Sequence, residues 1–385
     1  MEQTPLLVIG AGPYGLATAA LARHRGLEPV IVGQPMGFWR ENMPRGMLLR
    51  SGFGWHLDAL GVHTLDAYLE ERGIARSDVS PIPVELFVDY AGWYADATGV
   101  DVVRKNVSSL SRRDGDGTGF VAQFDDGSSI TASSVVATPG VRHFGNVPAD
   151  VQQSLPPDRY EHTCTATRFD DLEGSRVLIV GGRQSAFEWA ALIAEQANAE
   201  IELVYRHDSP SFVQSDWSFV DGLLERTVQL RGWFRRLPPA EQDALRARFW
   251  AEGRLKLEPW LVRRTDRPTI RRWPNHRVEA YQERPAGDVE VLLSGSQRLV
   301  VDRVILATGY RTDMTKVPYL SASGLADELA LRDGFPVLDE DFQASAPGLF
   351  FPSWPSTQDF GPFFGFVAGV PAASRIVVDR LVEAA

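Results

Sequence analysis

Two glycine-rich turns constrain the fold of this chain more than any other feature. The first lies in the run LLVIGAGPYGLA at 6–17, and the second lies in VLIVGGRQSA at 177–186. Each turn follows a short apolar run that predicts a buried parallel strand, and each opens onto a helix rich in small and apolar residues. This order is the context of a dinucleotide fingerprint, because the glycines permit a tight turn and the helix N-terminus attracts phosphate.

A single glycine fingerprint is weak evidence, but two in the same context predict a chain that binds two dinucleotides. The usual pair is a flavin and a nicotinamide nucleotide. At the first turn the predicted cofactor contacts are Gly10, Gly12, Pro13, Tyr14 and Gly15. At the second turn they are Gly181, Gly182, Arg183, Gln184 and Ser185.

Composition narrows the class further. The 385 residues suffice for about two or three domains, and the net charge of −11 argues against general binding to nucleic acid or an anionic membrane. The single cysteine, Cys164, permits no intramolecular disulfide and excludes a flavin disulfide reductase that needs a cysteine pair. The uncharged stretch 3–22 is broken by glycines and Pro13, so we interpret it as strand, turn and helix and expect a cytoplasmic protein.

Regular elements are predicted along most of the chain. The pattern predicts a strand at 5–10, a helix at 13–25 and a strand at Pro29–Val32, followed by an irregular stretch at 34–62. Further helices are predicted at 64–72, 84–97, 218–230 and 239–252, with a closing helix after Ala368. Further strands are predicted at Val100–Val103, Phe120–Phe124 and Ser129–Thr131, with a turn at Asp114–Gly117.

An internal near-duplication supports two similarly built units. About 125 residues after each fingerprint, an apolar strand ends in Ala-Thr, first at Ala137-Thr138 and then at Ala307-Thr308-Gly309. Residues 208–277 differ in composition, since they hold five of the ten tryptophans and many arginines. We interpret them as a helical insertion within the second nucleotide unit.

These segments resemble the class B flavoprotein monooxygenases, which include the flavin-containing monooxygenases and the N-hydroxylating lysine and ornithine monooxygenases. Gly10–Gly15 is similar to their FAD site, and Gly181–Ala186 is similar to their NADPH site. The segments with Thr138, Thr308 and Gly309 resemble their paired linkers, and Pro83–Trp93 resembles the stretch before the first linker. Asp359 and Phe360 lie in a segment similar to the C-terminal stretch that reaches the flavin.

The resemblance implies an α/β fold with two Rossmann-like dinucleotide-binding domains, the NAD(P)-binding one inserted into the FAD-binding one. We place the first part of the FAD-binding domain at 1–165 and its second part at 301–385. The NAD(P)-binding domain is placed at 166–300, with the Trp/Arg-rich insertion at 208–277.

The chain departs from the fingerprint pattern at two positions. Where an acidic residue usually holds a ribose, the chain has Gly33, so Gln34 is the predicted ribose contact. The middle glycine of the second fingerprint is Arg183, which can clamp a phosphate or can block the nicotinamide nucleotide. Arg206 follows the predicted strand Ile201–Tyr205, where an arginine suits the 2′-phosphate of NADPH; a solvated cation is the alternative.

The candidate catalytic residues are Trp39, Arg50, Ser51 and Trp55. By the resemblance, their segments lie where the family lines the flavin, and aromatic walls would exclude water. Alternatively, Trp39 and Trp55 belong to the core and Arg50 is solvated. We find no metal-spaced cluster of His and Cys and expect no metal.

The resemblance implies an FAD-dependent monooxygenase that consumes NADPH or NADH and oxygenates a nitrogen or sulfur through a C4a-peroxyflavin. One alternative is an FAD-dependent oxidase or reductase with a non-functional nicotinamide site, which Arg183 favours. Another alternative is a non-catalytic flavin-binding protein that serves a partner. We expect a small-molecule substrate and molecular oxygen as partners, no nucleic acid and no membrane, and leave a homodimer open.

Overall fold

The computed structural model describes residues 2–113 and 119–384, and within them it contains two sheets built mainly from parallel strands. The strand at the centre of the first sheet is Glu2–Ile9, whose residues Leu6–Ile9 are buried because strands flank them on both sides. In spatial order, the first sheet consists of Val102–Val103, Pro29–Val32, Glu2–Ile9, Ser129–Ala137, Phe120–Phe124 and Val107–Arg112, with Leu349–Phe350 beside Ser129–Ala137.

The second sheet has five strands, all parallel to their neighbours. In spatial order they are Ile270–Trp273, Glu200–Val204, Arg176–Val180, Arg303–Leu306 and Tyr160–His162. The chain leaves the first sheet after Ala137 and returns to it at Leu349, so the second unit is inserted into the first. The predicted fold class, two Rossmann-like units with one inserted into the other, is confirmed.

The domain boundaries at 165 and 300 stay predictions. Strands Tyr160–His162 and Arg303–Leu306 pair within the second sheet, which favours boundaries just outside these two strands.

The helices agree closely with those predicted. The helices at 13–25, 64–72, 84–97, 218–230 and 239–252 and the closing helix are confirmed to within about two residues, the usual spread at helix ends. The turn predicted at Asp114–Gly117 lies outside the described residues. The α-helices are Pro13–His24, Gly37–Glu41, Leu65–Arg72, Val84–Thr98, Ala149–Ser154, Gln184–Gln196, Ser218–Gln229, Trp233–Arg236, Pro239–Trp250, Leu261–Thr265, Pro318–Ser321, Leu325–Glu328, Thr357–Phe360 and Val370–Glu383.

Smaller elements complete the structure. A π-helical turn spans Ala251–Leu255, and an antiparallel sheet joins Val278–Glu283, Val289–Leu293 and Gln297–Val301. Two short pairs are Ser211–Phe212 with Lys256–Leu257 and Leu331–Arg332 with Phe335–Pro336. In the described ranges we find no helix that is both long and apolar enough to cross a membrane.

The helical part of the predicted insertion packs on the first unit, whereas its last segment, strand Ile270–Trp273, belongs to the second sheet. Val220, Leu224 and Phe249 of the insertion are buried in the same apolar core as Leu6–Ile9 of the first sheet. The insertion therefore contacts both units, since its Trp250 also lies beside Arg183 of the second turn.

Candidate functional site

The first glycine turn leads directly from the central strand into helix Pro13–His24. Gly10 has a φ of +105°, and a Cβ there would lie 2.6 Å from the carbonyl oxygen of Thr138. A Cβ on Gly15 would clash with the carbonyl oxygen of Gly10, so both positions require glycine. Gly12 caps the helix without a side-chain hydrogen bond, and a Cβ there would meet no atom within 4 Å. No protein atom therefore crowds the backbone at Gly12, where the helix N-terminus begins.

The second turn repeats this geometry in the second sheet. Gly181 has a φ of +147°, and a Cβ there would lie 2.5 Å from the carbonyl oxygen of Ala307. Since Ile9 pairs with Ala137 and Val180 pairs with Leu306, Thr138 corresponds to Ala307. The predicted match of Ala137-Thr138 to Ala307-Thr308 is therefore wrong by one residue.

Gly182 is also fixed by its surroundings. A Cβ at this position would lie 2.5 Å from the Cβ of Tyr205 and would also clash with the ring of His207. The second turn therefore packs closely against the end of strand Glu200–Val204, as a dinucleotide-binding turn does.

Arg183 occupies the place of Gly12 in the second turn. Both residues cap a helix in an extended conformation, with ψ of −175° at Arg183 and −172° at Gly12. The Arg183 guanidinium lies 5.9 Å from the ring centre of Trp250, in the insertion. Like the first helix, helix Gln184–Gln196 begins without a side-chain cap. The Arg183 side chain extends from this helix start toward the insertion.

The end of the second strand in each sheet carries the predicted ribose and 2′-phosphate contacts. Gly33 has a φ of +136°, and a Cβ there would lie 3.2 Å from the backbone nitrogen of Ala11, so a side chain at this position would be strained. Gln34 is exposed and lines a cleft of about 220 Å³ with Arg40 and Arg104. Arg206 is likewise exposed just after strand Glu200–Val204.

Arg50 lies in a dense network between the first unit and the insertion. Its Nε donates to Glu258 Oε1 at 2.9 Å, and its Nη2 donates to Ser215 Oγ at 2.6 Å. The two guanidinium Nη atoms also donate to the carbonyl oxygens of three residues of the insertion, Glu252, Gly253 and Lys256. The alternative that Arg50 is solvated is therefore wrong, because its side chain is only 16% exposed and fully engaged by the insertion. Its catalytic role stays a prediction.

The candidate aromatic residues pack against other rings. Trp39 lies 4.8 Å from Phe87 between ring centres. Trp55 is buried, 5.7 Å from Trp217 and 6.4 Å from Phe366, in an aromatic cluster where the first unit meets the insertion. Ser51 is half-buried and lies in sequence between Arg50 and Trp55. The catalytic roles of Trp39, Ser51 and Trp55 stay predictions.

Two residues of the C-terminal stretch have protein partners. Asp359 is buried, pairs with Arg332 and accepts the backbone N–H of Leu338 at 2.9 Å. Phe360 is buried and stacks on Phe342 at 3.7 Å between ring centres. Neither side chain points into open space, so a flavin contact through these side chains would need them to leave these partners; the assignment stays a prediction.

The first linker contacts the first turn, and the second linker contacts the segment at Asn146. The Thr138 hydroxyl donates to the carbonyl oxygens of Ile9 and Gly10, at 3.1 and 3.2 Å. The Thr308 hydroxyl donates to the carbonyl of Asn146, and the Gly309 carbonyl accepts the N–H of Asn146 at 2.9 Å. The hydroxyls of Thr138 and Thr308 thus both donate to backbone carbonyl oxygens of the protein. A direct contact of either side chain with a cofactor stays a prediction.

At the two helix starts, some predicted contacts also have structural partners. The hydroxyl of Tyr14 is buried and donates to the carbonyls of Phe364 and Phe366, and its burial raises the pKa of Tyr14. Gln184 donates to the buried Glu188 at 3.0 Å and accepts the N–H of Glu258 at 3.1 Å. Ser185 is half-buried at the start of the same helix.

Sequence reasoning missed Glu188, Trp250 and Arg254. Glu188 is fully buried, and burial raises the pKa of its carboxyl; a single acid inside the apolar run of its helix was the available signal. Trp250 and Arg254 lie beside Arg183, but no motif in the insertion distinguishes them from its other tryptophans and arginines.

The stretch that contains both glycine turns matches the model of a known protein family. The pattern of the pyridine nucleotide-disulphide oxidoreductase family matches residues 7–226, more than half of the chain. The chain belongs to this family. Its only cysteine, Cys164, is buried and unpaired, so membership does not bring a redox-active cysteine pair.

Individual relatives agree with this assignment. An FAD-dependent urate hydroxylase from Xanthomonas campestris pv. campestris is 30% identical over 214 residues, which are 52% of this chain and 45% of that protein. The match therefore spans about half the length of that relative.

Solved structures match over the whole chain. L-lysine 6-monooxygenase from Pseudomonas syringae has a TM-score of 0.77 at 19% identity, covering 99% of this chain and 100% of that one. An ornithine N-hydroxylase from Kutzneria sp. 744 has a TM-score of 0.80 at 15% identity, covering 99% of both chains. The chain thus has the fold of the class B flavoprotein monooxygenases, as the resemblance implied.

Proposed function

We propose that this chain is an FAD-dependent monooxygenase that consumes NADPH, and less readily NADH, and oxygenates a nitrogen or sulfur of a small molecule. The observation that carries the proposal is the pair of equivalent glycine turns, each opening onto an uncapped helix N-terminus. Family membership and the likeness to lysine and ornithine monooxygenases support it and favour nitrogen as the oxygenated atom. A homodimer and a cytoplasmic location stay predictions.

The first unit fits FAD. The N-terminus of helix Pro13–His24 would bind the pyrophosphate, and the cleft at Gln34 would take the adenosine ribose. The aromatic cluster around Trp55 would exclude water from the reaction. When bound, the flavin supplies hydride acceptance and oxygen activation, for which no protein side chain is equipped.

The first consequence is visible on purification. The protein should be yellow and should release FAD on denaturation, since the first turn is open to the pyrophosphate. Absorbance of the native protein and chromatography of the released cofactor measure this. A colourless protein that cannot be reconstituted with FAD would contradict every form of the proposal.

The nicotinamide site depends on Arg183, whose side chain lies beside the helix start toward Trp250. A guanidinium in this position suits a phosphate clamp, because the unpaired helix N–H groups and the cation attract the same anion. Arg206, exposed at the end of its strand, is placed for the 2′-phosphate of NADPH.

Replacing Arg183 tests the clamp. Arg183→Gly restores the usual glycine but removes a charge-assisted bond, so the NADPH affinity should fall by roughly ten- to a hundredfold. Arg206→Ala should weaken NADPH more than NADH, because only NADPH carries the 2′-phosphate. Titrations of both nucleotides into both variants measure these effects. Improved NADPH binding in Arg183→Gly would show that Arg183 blocks the site.

A second candidate function is an FAD-dependent oxidase or reductase that makes no use of the nicotinamide nucleotide. The observation that favours it is Arg183 in the place of the middle glycine, where a side chain can exclude a pyrophosphate. In that case a candidate amine or alcohol, and neither nicotinamide nucleotide, would reduce the flavin in the absence of oxygen.

A further inference from the structure

Two arginines beside the second glycine turn lack an anionic partner. In the part of the chain that the structure describes, Arg183 and Arg254 make ring contacts but no hydrogen bond or ion pair through their side chains. Other arginines of the insertion are paired, as Arg264 with Glu195 at 2.9 Å and Arg231 with Asp341 at 3.0 Å. Among the described residues, Arg226, Arg248 and Arg271 also make ring contacts without an ion pair, but each lies over a different ring, whereas Arg183 and Arg254 share one.

The two guanidinium groups flank one exposed ring. Arg183 lies 5.9 Å and Arg254 lies 5.8 Å from the ring centre of Trp250, so the two cations are within about 12 Å of each other. Trp250 is 52% exposed, although it stands at the junction of the insertion and the second unit. Two cations thus lie over one exposed aromatic ring.

The backbone around Arg254 is held by hydrogen bonds. Arg254 lies in the π-helical turn Ala251–Leu255, a form of helix that is often found at functional sites. Arg50 donates to three carbonyl oxygens in and next to this turn, which holds the turn in place. The backbone that carries Arg254 is therefore held by a contact between the first unit and the insertion.

Electrostatics at Arg254 are unfavourable without a ligand. Burial lowers the pKa of Arg254, and the positive charges of Arg50 and Arg183 lower it further, while Tyr310 faces it from the second linker. Glu258 is already paired with Arg50, and Glu252 is paired with Lys256, so neither nearby carboxylate offsets this charge. A half-buried cation without a counter-charge, close to two other cations, is unfavourable, which indicates that an anion completes this arrangement.

We propose that Arg183, Arg254 and Trp250 form a clamp for the diphosphate of the nicotinamide nucleotide, with the insertion supplying half of the site. The clamp rests on the proposed function. Arg183 holds the diphosphate from the helix start, and Arg254 holds it from the insertion, since two guanidinium groups match two phosphate charges. Trp250 lies between them as an apolar wall. Arg206 remains the separate contact for the 2′-phosphate.

The test measures nucleotide binding rather than turnover. In the FAD-loaded protein, dissociation constants of NADP⁺ and NAD⁺ are determined by calorimetry for the parent chain, Arg254→Met and Arg206→Ala. Arg254→Met should weaken both nucleotides by about tenfold or more, because both contain the diphosphate. Arg206→Ala should weaken NADP⁺ alone. Arg248→Met is the matched control and should leave both constants unchanged, since Arg248 on helix Pro239–Trp250 stacks on Phe219 rather than on Trp250.

A second measurement covers the case in which Arg254→Met disturbs folding. Inorganic pyrophosphate should compete with NAD⁺ in the parent chain, and Arg254→Gln, whose melting temperature and FAD content are checked first, should reduce that competition by about tenfold. Unchanged binding of both nucleotides in a folded Arg254 variant would overturn the clamp and leave the proposed function standing. A parent chain that neither binds nor is reduced by either nucleotide would overturn the nicotinamide part of the proposed function as well.

Discussion

Gly12→Val should yield a folded protein that no longer retains FAD. A Cβ at Gly12 meets no protein atom within 4 Å, and the backbone there is extended, so valine fits the polypeptide itself. Its branched side chain would, however, fill the space through which the pyrophosphate reaches the helix N-terminus. We expect FAD affinity to fall at least a hundredfold, which flavin absorbance after gel filtration measures.

Gly15→Ala is the informative comparison for this variant. A Cβ at Gly15 would clash with the carbonyl oxygen of Gly10, so alanine should disrupt the turn and lower the melting temperature. Gly12→Val should melt close to the flavin-free parent chain. Equal flavin occupancy in Gly12→Val and the parent would show that this turn is not the FAD site.

Arg50→Met should destabilise the protein strongly, by about 3–5 kcal/mol in the free energy of unfolding. The substitution leaves Glu258, only 4% exposed, without its cation and frees the carbonyl oxygens of the π-helical turn. The double variant Arg50→Met/Glu258→Gln should be more stable than Arg50→Met, because no buried charge is then left unpaired. Chemical denaturation of the three proteins measures the effect.

Arg248→Met is the control for the loss of an arginine in this region, and it should cost less than about 1 kcal/mol. A stable, flavin-loaded Arg50→Met that loses only turnover would contradict the positioning role and favour the catalytic role predicted from sequence.

The fold was predictable because its determinants are local. An apolar run precedes Gly10 and another precedes Gly181, and an apolar segment of helical length follows each turn. These local patterns are sufficient to predict strand, turn and helix. The equivalence of the two units was also visible, but its register was misplaced by one residue. Strand pairing, which aligns Thr138 with Ala307, depends on contacts between distant segments that composition does not reveal.

The candidate site was less predictable for the same reason. Arg50 was expected to be solvated or to face the ligand, but its partners in the insertion lie more than 160 residues away in the chain. Phe360 and Asp359 likewise acquire their partners only when the C-terminal stretch folds. Arg183 was identified because it breaks a fixed motif, whereas Arg254 breaks none, and only the ring that it shares with Arg183 in the folded protein distinguishes it.

The most direct test of the central claim is anaerobic mixing of the FAD-loaded protein with NADPH, followed by oxygen. We predict that NADPH bleaches the flavin absorbance, that it does so faster than NADH, and that the oxidised spectrum returns after oxygen is admitted. We also predict that a substrate nitrogen or sulfur, when present, gains one oxygen atom for each NADPH consumed. A flavin that neither nicotinamide nucleotide can bleach would contradict the account.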